Sequence, residues 1–169
     1  KPFVEDLERD IPRVRELLKH PESCDVRGMN AAYEEIGERA HAGYWLSTPI
    51  DWWAGLRGTQ AMVMDLMLYP EIMQDLFAEY TRHAEALTRH VLKNTKVDSV
   101  GLGGSTTSMS VISPDLHRRF TLPFRQVICR AGHAWGRPVL YHMCGKSREA
   151  LPITAEMGVD CFDALECAP

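Results

Sequence analysis

The sequence has 169 residues, 45% of them apolar and 25% charged, with a formal net charge of −4 at pH 7. That is enough chain for a globular domain with a sizeable core. Basic residues sit among acids, as from Glu5 to Arg15 and from Glu34 to Arg39, so nothing offers the basic footprint that nucleic acid needs.

Chain order gives the following elements. From Glu5 to Leu18, the apolar Leu7, Ile11, Val14 and Leu18 share one helical stripe. Asn30 to Ala40 reads as a second helix closed by His41-Ala42-Gly43, so residues 1–43 are expected to form a helical lead-in segment. Tyr44-Trp45-Leu46-Ser47 reads as a strand before a Thr48-Pro49 turn, and residues 44–169 as successive βα units. One helix is expected over Asp51–Leu68. A second starts at Pro70, with Ile72, Leu76, Tyr80, Ala84, Leu87 and Val91 on its apolar face. The run Met62 to Tyr69 is broken by Asp65 and is far too short to span a bilayer. The methionines Met62, Met64, Met67 and Met73 read as core filler.

Val97 to Leu102 is expected as a buried strand, followed by the polar loop Gly103-Gly104-Ser105-Thr106-Thr107-Ser108. That loop could hold a carboxylate or phosphate, or simply be polar. Ser113 and Pro114 open a helix that Pro123 should divide. Pro138 to His142 is the next strand. Ser147 to Met157 reads as a helix shortened by Pro152, and Val159 to Leu165 as a last strand after Gly158. Strand, helix, strand with short joins predicts parallel strands, in either a barrel or an open sheet. His83, His90, His117 and His133 are expected on solvated helix faces.

Five scattered cysteines, Cys24, Cys129, Cys144, Cys161 and Cys167, make no disulfide framework, and most are expected to be reduced and buried. With no signal-peptide pattern at Lys1 to Asp6, a cytoplasmic, soluble protein with no membrane partner is expected. The sharpest chemical signal is Leu140-Tyr141-His142-Met143-Cys144-Gly145-Lys146. His142 and Cys144, two residues apart at a strand end, suit one zinc ion, and Gly145 lets the backbone turn beside them. The bland alternative is a backbone-bonded histidine beside a packed cysteine. Trp52 and Trp53 could stack on a tetrapyrrole or pack between helix and sheet.

The run from Asp98 through Gly104 to Ser113-Pro114, then Phe120-Thr121-Leu122-Pro123-Phe124, Pro138 to Gly145, and Glu156 to Asp160 resembles the uroporphyrinogen decarboxylase-like superfamily. Leu56-Arg57-Gly58 and Tyr69-Pro70-Glu71 fit its pattern too. The resemblance implies a (β/α)8 TIM barrel, of which this chain covers a central portion. It implies one of two chemistries. In the methyltransferase branch, zinc held by His142, Cys144 and a further ligand serves methyl transfer between a corrinoid, such as methylcobalamin, and a thiol. In the decarboxylase branch of porphyrin biosynthesis no metal is needed; Trp53 or Ala54 falls at one substrate-binding position and Thr107 at another. A non-catalytic corrinoid-binding protein is a third reading. Two departures accompany the resemblance: Gly104 stands where many members carry aspartate, and the third zinc ligand is expected beyond Pro169. Glu166 and Cys167 are local alternatives for that ligand. Implied partners are a small thiol, or a tetrapyrrole or corrinoid, the latter free or on a corrinoid protein; a homodimer is compatible with this.

Overall fold

Alternation sets the first strand: in Gly43–Ser47 (β1), Tyr44 and Leu46 are buried while Gly43, Trp45 and Ser47 are exposed. The computed structural model, which describes residues 1–165, pairs β1 in parallel with Ser99–Gly103 (β2). Val139–His142 (β3) and Cys161–Asp163 (β4) follow, giving a parallel sheet in the order β1-β2-β3-β4.

Helices Leu7–Glu16 (α1) and Arg27–Ile36 (α2) precede the sheet. Pro49–Arg57 (α3), Thr59–Leu68 (α4) and Pro70–Asn94 (α5) join β1 to β2. Pro114–Phe120 (α6) and Leu122–His133 (α7) join β2 to β3, divided beside Pro123 as the sequence predicts. A single 3₁₀ turn and Leu151–Ala155 (α8) lead to β4.

Several boundaries differ from expectation, two of them for a plain backbone reason. The helix expected over Asp51–Leu68 is two, because Gly58 adopts a φ of +89°, outside helical space. The helix expected from Ser147 shrinks to α8 and its preceding turn; Pro152, in the first turn of α8, cannot donate to a longer helix. The last strand pairs only over Cys161–Asp163.

One face of the sheet carries the core. Tyr44, Leu46, Val100, Leu102, Val139 and Tyr141 pack with Ala84 and Val91 of α5, Phe124 and Ile128 of α7, and Ile153 of α8. The opposite face presents Trp45, Gly101, Leu140 and Cys161, paired in register across the four strands. All three crossovers therefore cover the same face. An open doubly wound sheet puts helices on both faces, whereas sequential strand order with one covered face is the winding of a (β/α)8 barrel. The chain is a set of consecutive units of that barrel fold.

A second cluster lies outside the first: Val4, Ile11 and Val14 seal Ile50, Trp53, Met62, Leu66 and Met73. Met62 and Met73 are core filler as expected, but Met64 and Met67 are exposed.

Ile128, with no exposed surface between α7 and the sheet, sets a stability test. Ile128→Ala should cost about 2–5 kcal/mol, read as a lower urea midpoint at unchanged slope. Met67→Ala, at an exposed site, should shift stability by no more than about 0.5 kcal/mol.

Candidate functional site

The C-terminal end of β3 delivers His142 to the uncovered face, opposite Asp163 of β4. His142 Nδ1 lies 2.7 Å from Asp163 Oδ1, and the imidazole is 38% exposed. A carboxylate on Nδ1 fixes the proton there and leaves Nε2 as the ring's free lone pair. Cys144 is exposed two residues on. Gly145 makes the turn at a φ of +106°, where a Cβ would come 2.7 Å from Ser108 Oγ, so the position admits only glycine without displacement. Among the described residues no group of three or more His, Cys, Asp or Glu side chains is assembled to hold a metal. Glu166 and Cys167 lie outside the described residues.

Behind the strand ends sits a buried cation. Arg125 of α7 has no exposed surface, and its guanidinium lies 3.6 Å from the centre of the Tyr141 ring. Its Nη2 donates to Thr107 Oγ1 at 3.1 Å, and its Nη1 donates to His117 Nε2 at 3.2 Å. Its Nε has no hydrogen-bond partner among the described residues. His117 is also fully buried, not on a solvated face as expected, because α6 turns it inward under Tyr141. Burial, then the Arg125 charge, pushes its pKa down to about 3. A neutral ring accepting at Nε2 carries its proton on Nδ1, which faces Thr121 Oγ1 at 2.9 Å.

Gly104 belongs to the same arrangement. A Cβ there would lie 2.8 Å from Arg125 Nη2 and 3.0 Å from Tyr141 Cε2, so the guanidinium occupies the space a side chain would need. Thr107 is buried too, and its hydroxyl is spent on Gly104 O at 2.9 Å. Trp53 is fully buried with its indole N–H on Asp65 Oδ2 at 2.9 Å, which leaves no ring surface for a ligand. Trp52 stacks on Tyr80, ring centres 4.5 Å apart. Both tryptophans pack.

Two residues of the strand-end region escaped the sequence reading. Asp51, in the first turn of α3, accepts at Oδ1 from the Thr106 N–H (2.9 Å) and hydroxyl (2.7 Å), and at Oδ2 from the Thr48 hydroxyl. It ties the start of α3 to the loop after β2; the Thr48-x-x-Asp51 spacing was the available signal. Trp45 is 53% exposed, its ring lying over Gly101, where a Cβ would come within 2.6 Å of it. Both line a concavity of about 230 Å³ with Leu46, Ser47 and Gly103 to Ser105. A larger hollow of about 690 Å³ lies on the helical layer around α1 and contains none of these residues. Of the described cysteines only Cys129 is buried; Cys144 and Cys161 are exposed because both sit at the uncovered side of the sheet or its rim.

The uroporphyrinogen decarboxylase (URO-D) family model matches residues 29–167. The chain belongs to the URO-D family. Among solved structures, a methyltransferase from Methanosarcina mazei shares 16% sequence identity with a TM-score of 0.64, covering 95% of this chain. The likeness is one of fold, and the chain spans 44% of that structure's length. No curated protein sequence matches. Among the described residues no helix is long and apolar enough to cross a membrane.

The neutral His117 gives this URO-D chain a pH signature. Its folded-state pKa of about 3 lies below the unfolded value of about 6.5, so the unfolded state binds the extra proton in that window. The stability held above pH 6.5 should fall by at most about 1.4 kcal/mol per pH unit as pH drops from there toward 3. Urea unfolding at pH 7, 6 and 5 should show that slope, and His117→Gln should flatten it.

Proposed function

We propose that the protein is a zinc-dependent methyltransferase that moves a methyl group between a corrinoid and a thiol. The observation that carries this reading is the pairing of His142 with Asp163, which leaves imidazole Nε2 open near an exposed Cys144 at the strand ends. Membership of the URO-D family and the fold shared with a methyltransferase support it.

The donor chemistry fits zinc. An imidazole held by a carboxylate and a free thiol are first-choice ligands, and catalytic groups of such barrels gather at the C-terminal strand ends. His142 and Cys144 would hold the ion, with Glu166 or Cys167 the local source of a third donor. When bound, zinc supplies a Lewis acid that lowers the pKa of an acceptor thiol, so that thiolate is available at neutral pH.

The chain's own residues do the positioning. Asp163 fixes the tautomer and ring plane of His142, and Gly145 sets the direction in which the Cys144 backbone leaves β3. Trp45 and Leu140 share the open face of the sheet with His142. The decarboxylase reading loses ground because Trp53 and Thr107, at its implied substrate-binding positions, are both buried.

Metal analysis of the full-length protein should find close to one zinc per chain, lost in a His142→Ala, Cys144→Ala double variant. Asp163→Asn should keep the site but weaken zinc about 10–100-fold in a chelator competition. A metal-free wild type would overturn the proposal in favour of a tetrapyrrole decarboxylase or a corrinoid-binding protein.

A further inference from the structure

We infer that Arg125 is a positioning residue for the strand-end site: through Tyr141 and Thr107, its guanidinium fixes the backbone on both sides of Cys144. This rests on the reading of His142 and Cys144 as zinc ligands and names what holds them in place.

A guanidinium with no exposed surface, and no carboxylate bonded to it among the described residues, is a poor choice for stability alone. Well-packed apolar side chains of similar volume often serve a buried position equally well or better. What the planar fork supplies instead is direction, since its bonds point along fixed lines.

The first route runs along β3. The guanidinium lies 3.6 Å from the centre of the Tyr141 ring, and the Tyr141 hydroxyl donates to Met143 Sδ at 3.1 Å. Neither Tyr141 nor Met143 has any exposed surface. The inward residues 141 and 143 are thus bonded to one another beneath the cation, and alternation turns His142 and Cys144 outward together. Cys144 lies past the last paired residue of β3, so the Met143 anchor takes over where the strand ladder stops.

The second route runs through the loop after β2. Arg125 Nη2 donates to Thr107 Oγ1 at 3.1 Å, which fixes the buried part of that loop. Two and three residues on, the loop clasps the turn that follows Cys144. The Met109 N–H donates to Lys146 O at 2.9 Å, and the Lys146 N–H donates to Ser110 Oγ at 3.3 Å. Cys144 is therefore bracketed by Met143 and Lys146, and both brackets lead back to one guanidinium. None of these contacts involves a side chain on the open face of the sheet. Ligands whose backbone is fixed before the metal arrives lose less freedom on binding it.

Charge alone predicts the opposite effect. A buried cation repels a metal ion, so deleting it at unchanged geometry would tighten zinc. Deleting a positioning residue loosens it.

The test compares Arg125→Met, Tyr141→Phe and Ile128→Ala with the wild type, each as the full-length protein. Zinc affinity is measured by chelator competition, and site geometry by the visible absorption bands of cobalt(II) bound in place of zinc. The urea midpoint of the metal-free protein reports stability. Arg125→Met, which removes the charge and fills its space, should keep or raise that midpoint. It should also weaken zinc about 10–100-fold and alter the cobalt bands. Tyr141→Phe keeps the ring beneath the guanidinium but removes the hydroxyl that bonds Met143, and should weaken zinc in the same direction. Ile128→Ala, on the same helix but outside both routes, should lower the midpoint and leave the zinc affinity of the folded protein unchanged. Wild-type zinc affinity and cobalt bands in a folded Arg125→Met, tighter zinc there, or a loss that Ile128→Ala reproduces would each overturn the role of Arg125 while the zinc reading stands. A wild type that binds neither metal overturns the zinc reading, and this role with it. If Arg125→Met does not fold, Tyr141→Phe decides: unchanged zinc affinity and cobalt bands overturn the role.

Discussion

Burying the Arg125 guanidinium with no carboxylate bonded to it among the described residues constrains everything around it. A cation removed from water needs donors matched by acceptors, and here they come from Thr107 on the loop after β2 and His117 on α6, with the Tyr141 ring of β3 beneath. Each contact belongs to a different element, so the guanidinium holds loop, helix and strand in one arrangement. His117 must stay neutral to accept the bond, and Gly104 must lack a side chain to leave the guanidinium its space. Replacing one partner would strand a buried charge, which costs far more than any one of these bonds contributes.

That fixed layer determines what the strand ends can present. Tyr141 points into the helix-covered core, so its neighbour His142 points to the open side, where Asp163 meets it. Asp51 binds the loop carrying Thr107 from the other side, so the same loop serves the buried cation and the rim of the hollow. The core and the candidate site meet at this loop: Thr107 serves the buried layer and its neighbour Thr106 serves Asp51.

Much of this was legible in the sequence. The alternation at Tyr44 to Ser47, the i, i+4 stripe of α5, the Ser113 cap and the division at Pro123 are local signals, and local chemistry decides them. The prominence of His142 and Cys144 was readable because chemistry-bearing types stood together at a strand end. What failed to show was whatever depends on distant partners. His117 looks like a surface histidine until α6 turns it beneath Tyr141, and Asp163 is unremarkable until β4 pairs with β3. Trp53 and Thr107 were readable as types, but only packing shows that both are enclosed. The seat of the Trp45 ring was equally hidden, because it lies on a glycine 56 positions along the chain that becomes its neighbour only in the sheet.

The fit of Trp45 on Gly101 also bears on how the sheet assembles. Parallel strands depend on distant stretches of chain finding a single alignment, and slippage is the common error. A shift of β1 by one residue against β2 would set Trp45 opposite Val100 or Leu102, where a branched side chain would meet the indole, and would turn Tyr44 and Leu46 away from the core. The bulkiest ring and the barest residue of the two strands thus act as a key and its slot, so misaligned pairings are rejected by shape as well as by solvent.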